Sequence, residues 1–296
     1  MLDRPNRGGR AASGLTALVV AALLAACSIG AGGRSPVPTP AVPHSTDPTV
    51  LLLRVGQAGG KVASSVANTR MPAFSLFGDG TVIYQLPTDL PDPNAALSPG
   101  PAPLARAQMT GEQVDALLAF ALDAGALEAS KELFVYRRVA DPPVTYFIIA
   151  TPWRAYFSVV KLVRVQALGS ARVAADPDGP TLQALGRLWD LLANFLDQVR
   201  AGHATDAGIY EPTAYRGILS GGQPQGQGID WPWSDLTPAD FVAGGDTGPR
   251  EAVLTPAQAK LLSLTPQGGL FATPVFGPDR VPYSIALRPL LPDETE

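Results

Sequence analysis

The chain holds one cysteine, Cys27, placed directly after the apolar run that opens the sequence. No intrachain disulfide can staple the fold, and a metal centre built on several thiolates is excluded. Whatever folds downstream must be held by buried apolar surface and hydrogen bonds. Ahead of Cys27, Arg4, Arg7 and Arg10 make a positive start and Leu15–Leu24 is apolar. A bilayer-spanning helix needs about 20 apolar residues, whereas a secretory leader needs roughly 7–15. The run is therefore expected to be a leader that is cut away.

Leu24-Ala25-Ala26-Cys27 has the form of a lipobox, and the first 27 residues resemble the signal of bacterial lipoproteins. That resemblance implies removal of residues 1–26 and a diacylglyceryl group on Cys27, with acyl chains such as palmitate in the membrane. Each buried methylene contributes about 0.8 kcal/mol, so several chains hold a domain at a surface without a spanning helix. The folded part is then expected outside the cytoplasm, on the cell membrane or the outer membrane. Ser28 supplies no aspartate retention signal, which permits outer-membrane sorting where a second membrane exists.

Removing Asp3, Arg4, Arg7 and Arg10 takes a net +2 away and moves the chain from −4 to −6. The four lysines, Lys61, Lys131, Lys161 and Lys260, are scattered. Such an acidic surface has no footprint for a nucleic-acid backbone, so nucleic acid is excluded as a partner. The 46% hydrophobic content is enough to fill a core, while 30 glycines and 30 prolines require many turns and long connections.

Residues 27–48 carry Pro36, Pro38, Pro40, Pro43 and Pro48 among small residues and are expected to form a tether, with His44 solvated inside it. Folding is expected to begin at Val50–Val55, a buried strand running into Gly56, Gly59 and Gly60, where a bend is the preferred reading. Asp79-Gly80, between Phe74–Phe77 and Thr81–Tyr84, predicts a hairpin with a type I′ turn. Pro87–Gln108 is expected to be an exposed loop. Thr110 and Gln113 make a capping box for a helix with Val114, Leu117, Leu118, Ala121 and Leu122 on one face, stopped by Gly125. Val144–Ile149 and Ala155–Lys161 predict two strands. A helix over Pro180–Arg200 places Leu185, Leu188, Trp189, Leu192, Phe195, Leu196 and Val199 on one stripe. Ser220–Gly228 is a low-complexity loop, followed by a strand at Glu251–Leu254, a helix opened by Thr255-Pro256, and strands at Leu270–Val275 and Tyr283–Leu290. Thr110-Gly111-Glu112-Gln113 and Thr255-Pro256-Ala257-Gln258 both start helices that precede strand pairs, which raises the idea of a decayed duplication, although helix-start grammar alone produces such matches.

A Ser-His-Asp hydrolase needs an imidazole to shuttle a proton. His203 is the candidate in the folded part, and its place after the second helix beside Gly202 reads as a helix-end residue. No G-x-S-x-G, Walker or H-E-x-x-H pattern occurs. Loop carboxylates Asp176, Asp178, Asp230, Asp235, Asp240 and Asp246 keep glycoside hydrolysis open, without spacing that selects a pair. Asp176-Pro177-Asp178-Gly179 lacks the further ligands of a calcium loop and reads as a turn and helix cap. Neither a metal nor a cofactor is expected. Trp231-Pro232-Trp233, flanked by Asp230 and Asp235, is the candidate recognition surface, because rigid aromatics bind at low entropic cost. The competing reading is that these indoles pin a Gly-rich loop to a small core. Trp153-Arg154, at the expected hairpin tip, is a lesser candidate of the same kind.

Arg54-Val55-Gly56 with Gly59-Gly60, the hairpin Phe74–Ile83, and Arg288-Pro289-Leu290-Leu291-Pro292-Asp293 together resemble uncharacterised exported lipoproteins of GC-rich bacteria, a likeness that carries no activity. The glycine-containing first strand, the helix Gln113–Leu122 and the later strand pair are similar, over less than half the chain, to emfourin-type metalloprotease inhibitors. The expected fold class is α+β: an antiparallel sheet packed by two main helices over 49–202, with a smaller α+β segment over 203–296 that either continues the sheet or stands apart. The expected function is a lipid-anchored envelope binding module for a protein or glycan ligand, more in keeping with binding than with catalysis. A carboxylate-dependent glycan hydrolase and a protease inhibitor are the alternatives.

Overall fold

The computed structural model describes residues 42–61, 64–87, 103–135, 142–153, 157–166, 168, 177–221, 228–243, 249–262 and 272–294. Cys27, Arg154, Asp176 and Asp246 lie outside the described residues. The class is α+β, and the strands form two sheets, both dominated by antiparallel pairing.

The first sheet has eight strands. In chain order they are β1 (Leu51–Gly59), β2 (Phe74–Phe77), β3 (Thr81–Gln85), β4 (Leu104–Gln108), β5 (Leu133–Phe134), β6 (Pro143–Trp153), β7 (Phe157–Gln166) and β8 (Thr205–Ile209). Across the sheet they run β5-β7-β6-β1-β2-β3-β4-β8, and only β5 against β7 is parallel. β4 takes Leu104–Gln108 out of the loop expected over Pro87–Gln108, of which residues 88–102 lie outside the described residues. Its Leu104, Ala105 and Ala107 are buried, and full register with β3, rather than β propensity in Leu-Ala-Arg-Ala-Gln, makes it a strand. β8 lies beyond the 202/203 division, yet it pairs with β4 of this sheet.

The Phe74–Tyr84 hairpin forms with a different turn. Gly78–Gly80 is a three-residue loop in which the Gly80 N–H donates to Phe77 O and Gly80 alone has positive φ, at 83°. A type I′ turn needs two positive values. Asp79 still ends the turn, accepting from the Thr81 N–H and hydroxyl.

Among the described residues five α-helices accompany the strands: α1 (Ser64–Thr69), α2 (Gly111–Leu122), α3 (Gly179–Ala193), α4 (Phe195–Arg200) and α5 (Pro256–Lys260). α2 carries the expected reciprocal box, with Thr110 Oγ1 accepting from Gln113 N and Gln113 Oε1 from Thr110 N. Its end departs from expectation. Ala126, not Gly125, takes the left-handed conformation, at φ 59°, and Gly125 is small because a Cβ there would run into the Ala121 carbonyl. The helix expected over Pro180–Arg200 is split at Asn194, whose φ of −109° and ψ of 37° leave the helical region. Its end is a Schellman motif: His203 N–H donates to Gln198 O and Gly202 N–H to Val199 O, with Gly202 at φ 83°. His203 thus closes the helix through its backbone.

Leu182, Leu185, Leu188 and Leu192 of α3 and Phe195 of α4 join Val114, Leu117 and Leu118 of α2 in one core with the first sheet. Phe195 lies 4.8 Å from the Phe74 ring and 5.4 Å from that of Tyr84. Val42 packs against this core, and His44 is part-buried, with its Nε2 3.6 Å from Asp115 of α2. The tether expected through residue 48 is therefore already part of the folded body from Val42 on, and His44 is not solvated. Sheet contact explains this: Gly78 has no Cβ, and the backbone of Ser45 and Asp47 lies against it.

The second sheet contains β9 (Tyr215–Gly221), β10 (Ile229–Asp230), β11 (Val242–Ala243), β12 (Arg250–Leu254), β13 (Ala272–Phe276) and β14 (Pro282–Pro289), in the order β10-β13-β14-β9-β12-β11. β9 takes the first two residues of the expected Ser220–Gly228 loop into the centre of this sheet; residues 222–227 lie outside the described residues. The smaller C-terminal segment thus has its own sheet and core, of Leu219, Trp233, Phe241, Leu254, Val275, Ile285 and Leu287. The strand orders around the two capping-box helices differ, which removes the support that topology would lend to a duplication.

A third cluster joins the parts. Leu291, after β14, is 1% exposed among Phe77, Ile83 and Leu104 of the first sheet's other face and Met71 ahead of β2. β2 and β3 are accordingly buried on both faces. Both sheets belong to one compact unit, Pro40–Glu296. Among the described residues no helix is long and apolar enough to cross a membrane.

Candidate functional site

Trp231 and Trp233 follow β10 on either side of Pro232, whose φ is fixed, and each indole is held by a hydrogen bond from its Nε1. Their rings meet edge to face, with centroids 5.1 Å apart and planes at 81°. Phe241 lies 6.0 Å from Trp231 and 6.2 Å from Trp233, and Tyr283 of β14 lies 6.3 Å from Trp231. Trp233 is 5% exposed, and its Nε1 donates to Gln258 O in α5. This indole pins the loop to the core and does not serve as an open recognition face. Trp231 is half-buried, its Nε1 donating to Leu236 O at 2.6 Å.

The flanking carboxylates part company. Asp235 is exposed and accepts from Gln258 Nε2 at 3.0 Å, which ties it to the α5 capping box. Asp240 closes a capping box of its own: the Thr237 backbone N–H and hydroxyl donate to it and hold its carboxyl below the usual aspartate value. Asp178 sits at the α3 N-cap without a side-chain cap bond, and its carboxylate pairs with Lys131. Asp230 instead faces Arg280, 3.2 Å from its Nη1, with both side chains open to solvent.

Asp230, Trp231 and Trp233 line one open cleft of about 270 Å³, completed by Phe276, Pro278 and Arg280 from the turn between β13 and β14. Two glycines shape it. The Phe276 ring lies where a Cβ on Gly228 would stand, and the Tyr283 ring lies against Gly277. Arg280 N–H donates to Gly277 O, Gly277 N–H to Val281 O, and Val281 N–H to Asp279 Oδ1. Within this turn Arg280 has φ 63°, a conformation that non-glycine residues rarely adopt.

Of the four residues expected at the site, the structure brings three together and leaves Asp235 with α5. Sequence reasoning missed Phe276, Pro278 and Arg280. Gly277-Pro278-Asp279 marks a turn, but nothing local shows that it faces Asp230, 50 positions away.

A second polar cluster was equally hidden. Arg54, only 9% exposed, donates to Ser75 Oγ and to Asp293 Oδ1. Arg288 grips Glu294 through both terminal nitrogens, at 2.8 and 2.9 Å. Tyr210 donates to Leu290 O, and its hydroxyl is pushed up to about 12, first by burial and then by Glu294 and Asp293. Every charge here has a partner within the fold, so the cluster reads as a fastening.

No family model, curated protein or solved structure matches this chain.

Proposed function

We propose that this chain is a lipid-anchored cell-envelope protein, held by a diacylglyceryl group on Cys27, and that it works as a non-catalytic binding module. The positive start, the apolar run and the lipobox before Cys27 support the anchor. α2 and α3, the two longest described helices, are read as the braces of the first sheet, leaving recognition to the second.

One observation carries the binding reading. Arg280 is held in a left-handed conformation, at a cost of order 1–3 kcal/mol, beside Asp230 and a half-buried Trp231. Backbone strain of this kind gathers at ligand clamps, where it fixes a side chain before the ligand arrives. A hydrolase would ask two carboxylates to flank one bond. Asp235 and Asp240 are instead held by Gln258 and Thr237, away from that task.

The test is a photo-crosslinking residue at Val281, exposed beside Arg280, in the intact lipoprotein in living cells. A single class of envelope ligand captured there, and lost in Arg280→Gln, supports the proposal. Capture from Leu162, on the open side of β7, with none from Val281, would sink it.

A further inference from the structure

Resting on that binding reading, we infer that the ligand is a glycan, with one sugar ring laid against Trp231, Phe276 and Pro278 and its hydroxyls on Asp230 and Arg280. The first argument is size. About 270 Å³ lies below the roughly 300–1,000 Å³ of pockets that engulf a small ligand, and this cleft is open to solvent. It covers one face of one ring-sized unit, which suits a polymer that continues past the site on both sides.

The second argument is chemical. Trp231, Phe276 and Pro278 give the cleft an apolar part, beside which stand an acceptor and a donor 3.2 Å apart, their side chains 82% and 79% exposed. A guanidinium carries five N–H donors and a carboxylate about four acceptor positions. One hydrogen bond joins Arg280 to Asp230, leaving most of that capacity to a ligand. Neighbouring hydroxyls both donate and accept, so a diol bridges such a pair without breaking it. A pyranose also offers an apolar C–H face to the aromatic side chains. A free carboxylate or phosphate would meet the Asp230 charge and a chain of net charge −6 once residues 1–26 are removed. A wholly apolar ligand would strip water from both charges and give nothing back.

The third argument is preorganisation. Three hydrogen bonds fix the turn from Gly277 to Val281, and the Leu236 carbonyl fixes the Trp231 indole. The turn backbone and the Trp231 indole are therefore in place before a ligand arrives.

The experiment titrates the full chain with cellohexaose, chitohexaose and laminarihexaose, followed by tryptophan fluorescence and calorimetry. Saturable binding of at least one is expected, weakened about tenfold or more by Arg280→Gln and by Asp230→Asn. Arg280→Gly adds a separate readout. It relieves the left-handed strain, so thermal stability is kept or raised while affinity is lost; a purely structural arginine would change stability and leave affinity alone. Saturation by inorganic phosphate or a proline-rich peptide in place of any hexaose, with the same loss in Arg280→Gln, would overturn the glycan and spare the binding module. No saturation by any of these, with in-cell crosslinks mapping away from Val281, would overturn both.

Discussion

Asp293 accepts a hydrogen bond from Arg54 Nη2 at 2.6 Å, across 239 positions of sequence. Arg54 belongs to β1 of the first sheet, and Asp293 to the short turn that follows β14 of the second. Next to this pair, Arg288 holds Glu294 bidentately, Glu294 accepts the Leu291 N–H, and Leu291 fills the pocket of Met71, Phe77, Ile83 and Leu104. The C-terminal tail thus fastens the second sheet, which carries the cleft, to the far face of the first.

Removing one partner leaves the other charge poorly solvated. Asp293→Asn is expected to cost about 1.5–3 kcal/mol, the range of a hydrogen bond to a charged group, rather than the larger figure of a fully buried pair. Leu291→Ala is expected to cost about 2–5 kcal/mol through the cavity it leaves. Denaturant unfolding of both variants, with an Arg54→Met/Asp293→Asn cycle, checks this. A cycle without coupling would mean that the pair does not fasten the sheets.

Acid and alkali act on the same tail with opposite signs. Burial pushes the Glu294 carboxyl up, but the Arg288 hydrogen bonds and charge, the Leu291 N–H and Arg54 together hold it below the usual glutamate value. A depressed carboxyl stabilises above its unfolded value, about 4.3, and that contribution is lost as pH falls below it. Tyr210, raised to about 12, contributes fully below its unfolded value of 10.0 and loses that contribution as pH climbs toward about 12. Unfolding free energy measured against pH should therefore fall at both ends. Glu294→Gln should flatten the acid limb and Tyr210→Phe the alkaline one.

Two glycines separate conformation from crowding. Gly202 and Gly80 both have φ 83°, but a Cβ at Gly202 meets open space, whereas at Gly80 it runs into the Met109 carbonyl. Gly202→Ala should cost about 1–2 kcal/mol from the left-handed backbone alone, and Gly80→Ala distinctly more. Equal costs in thermal unfolding would remove the steric half of this argument.

Thr110 and Thr255 each close a reciprocal capping box. Replacing either by alanine should cost about 1 kcal/mol. The loss at Thr255 should also loosen the Trp233 bond to Gln258 O, readable as a shift in tryptophan emission that Thr110→Ala lacks.

Elements written in local chemistry were legible. The capping box announces α2 and Thr255-Pro256 announces α5, an apolar run announces β1, β-branched and aromatic runs announce β6 and β7, and Gly202 ends α4. Elements made by distant pairing were not. Leu-Ala-Arg-Ala-Gln becomes β4 because β3 lies beside it, and the fully exposed Thr205–Ile209 becomes β8 because β4 offers an edge. Asn194 breaks a stripe that is apolar on both sides of it, so periodicity alone runs through the break. At the cleft, Trp231 and Asp230 stood out by type, but Arg280 reaches them only through the register of β10 with β13. Arg54 and Asp293, 239 positions apart, meet only in the folded chain.

The anchor on Cys27 is the claim on which the place of action rests, and intact mass spectrometry of the protein purified from its native membrane tests it most directly. The account predicts a chain that starts at Cys27 and carries a diacylglyceryl group. A chain that retains residues 1–26, or one that starts without a lipid, would contradict it.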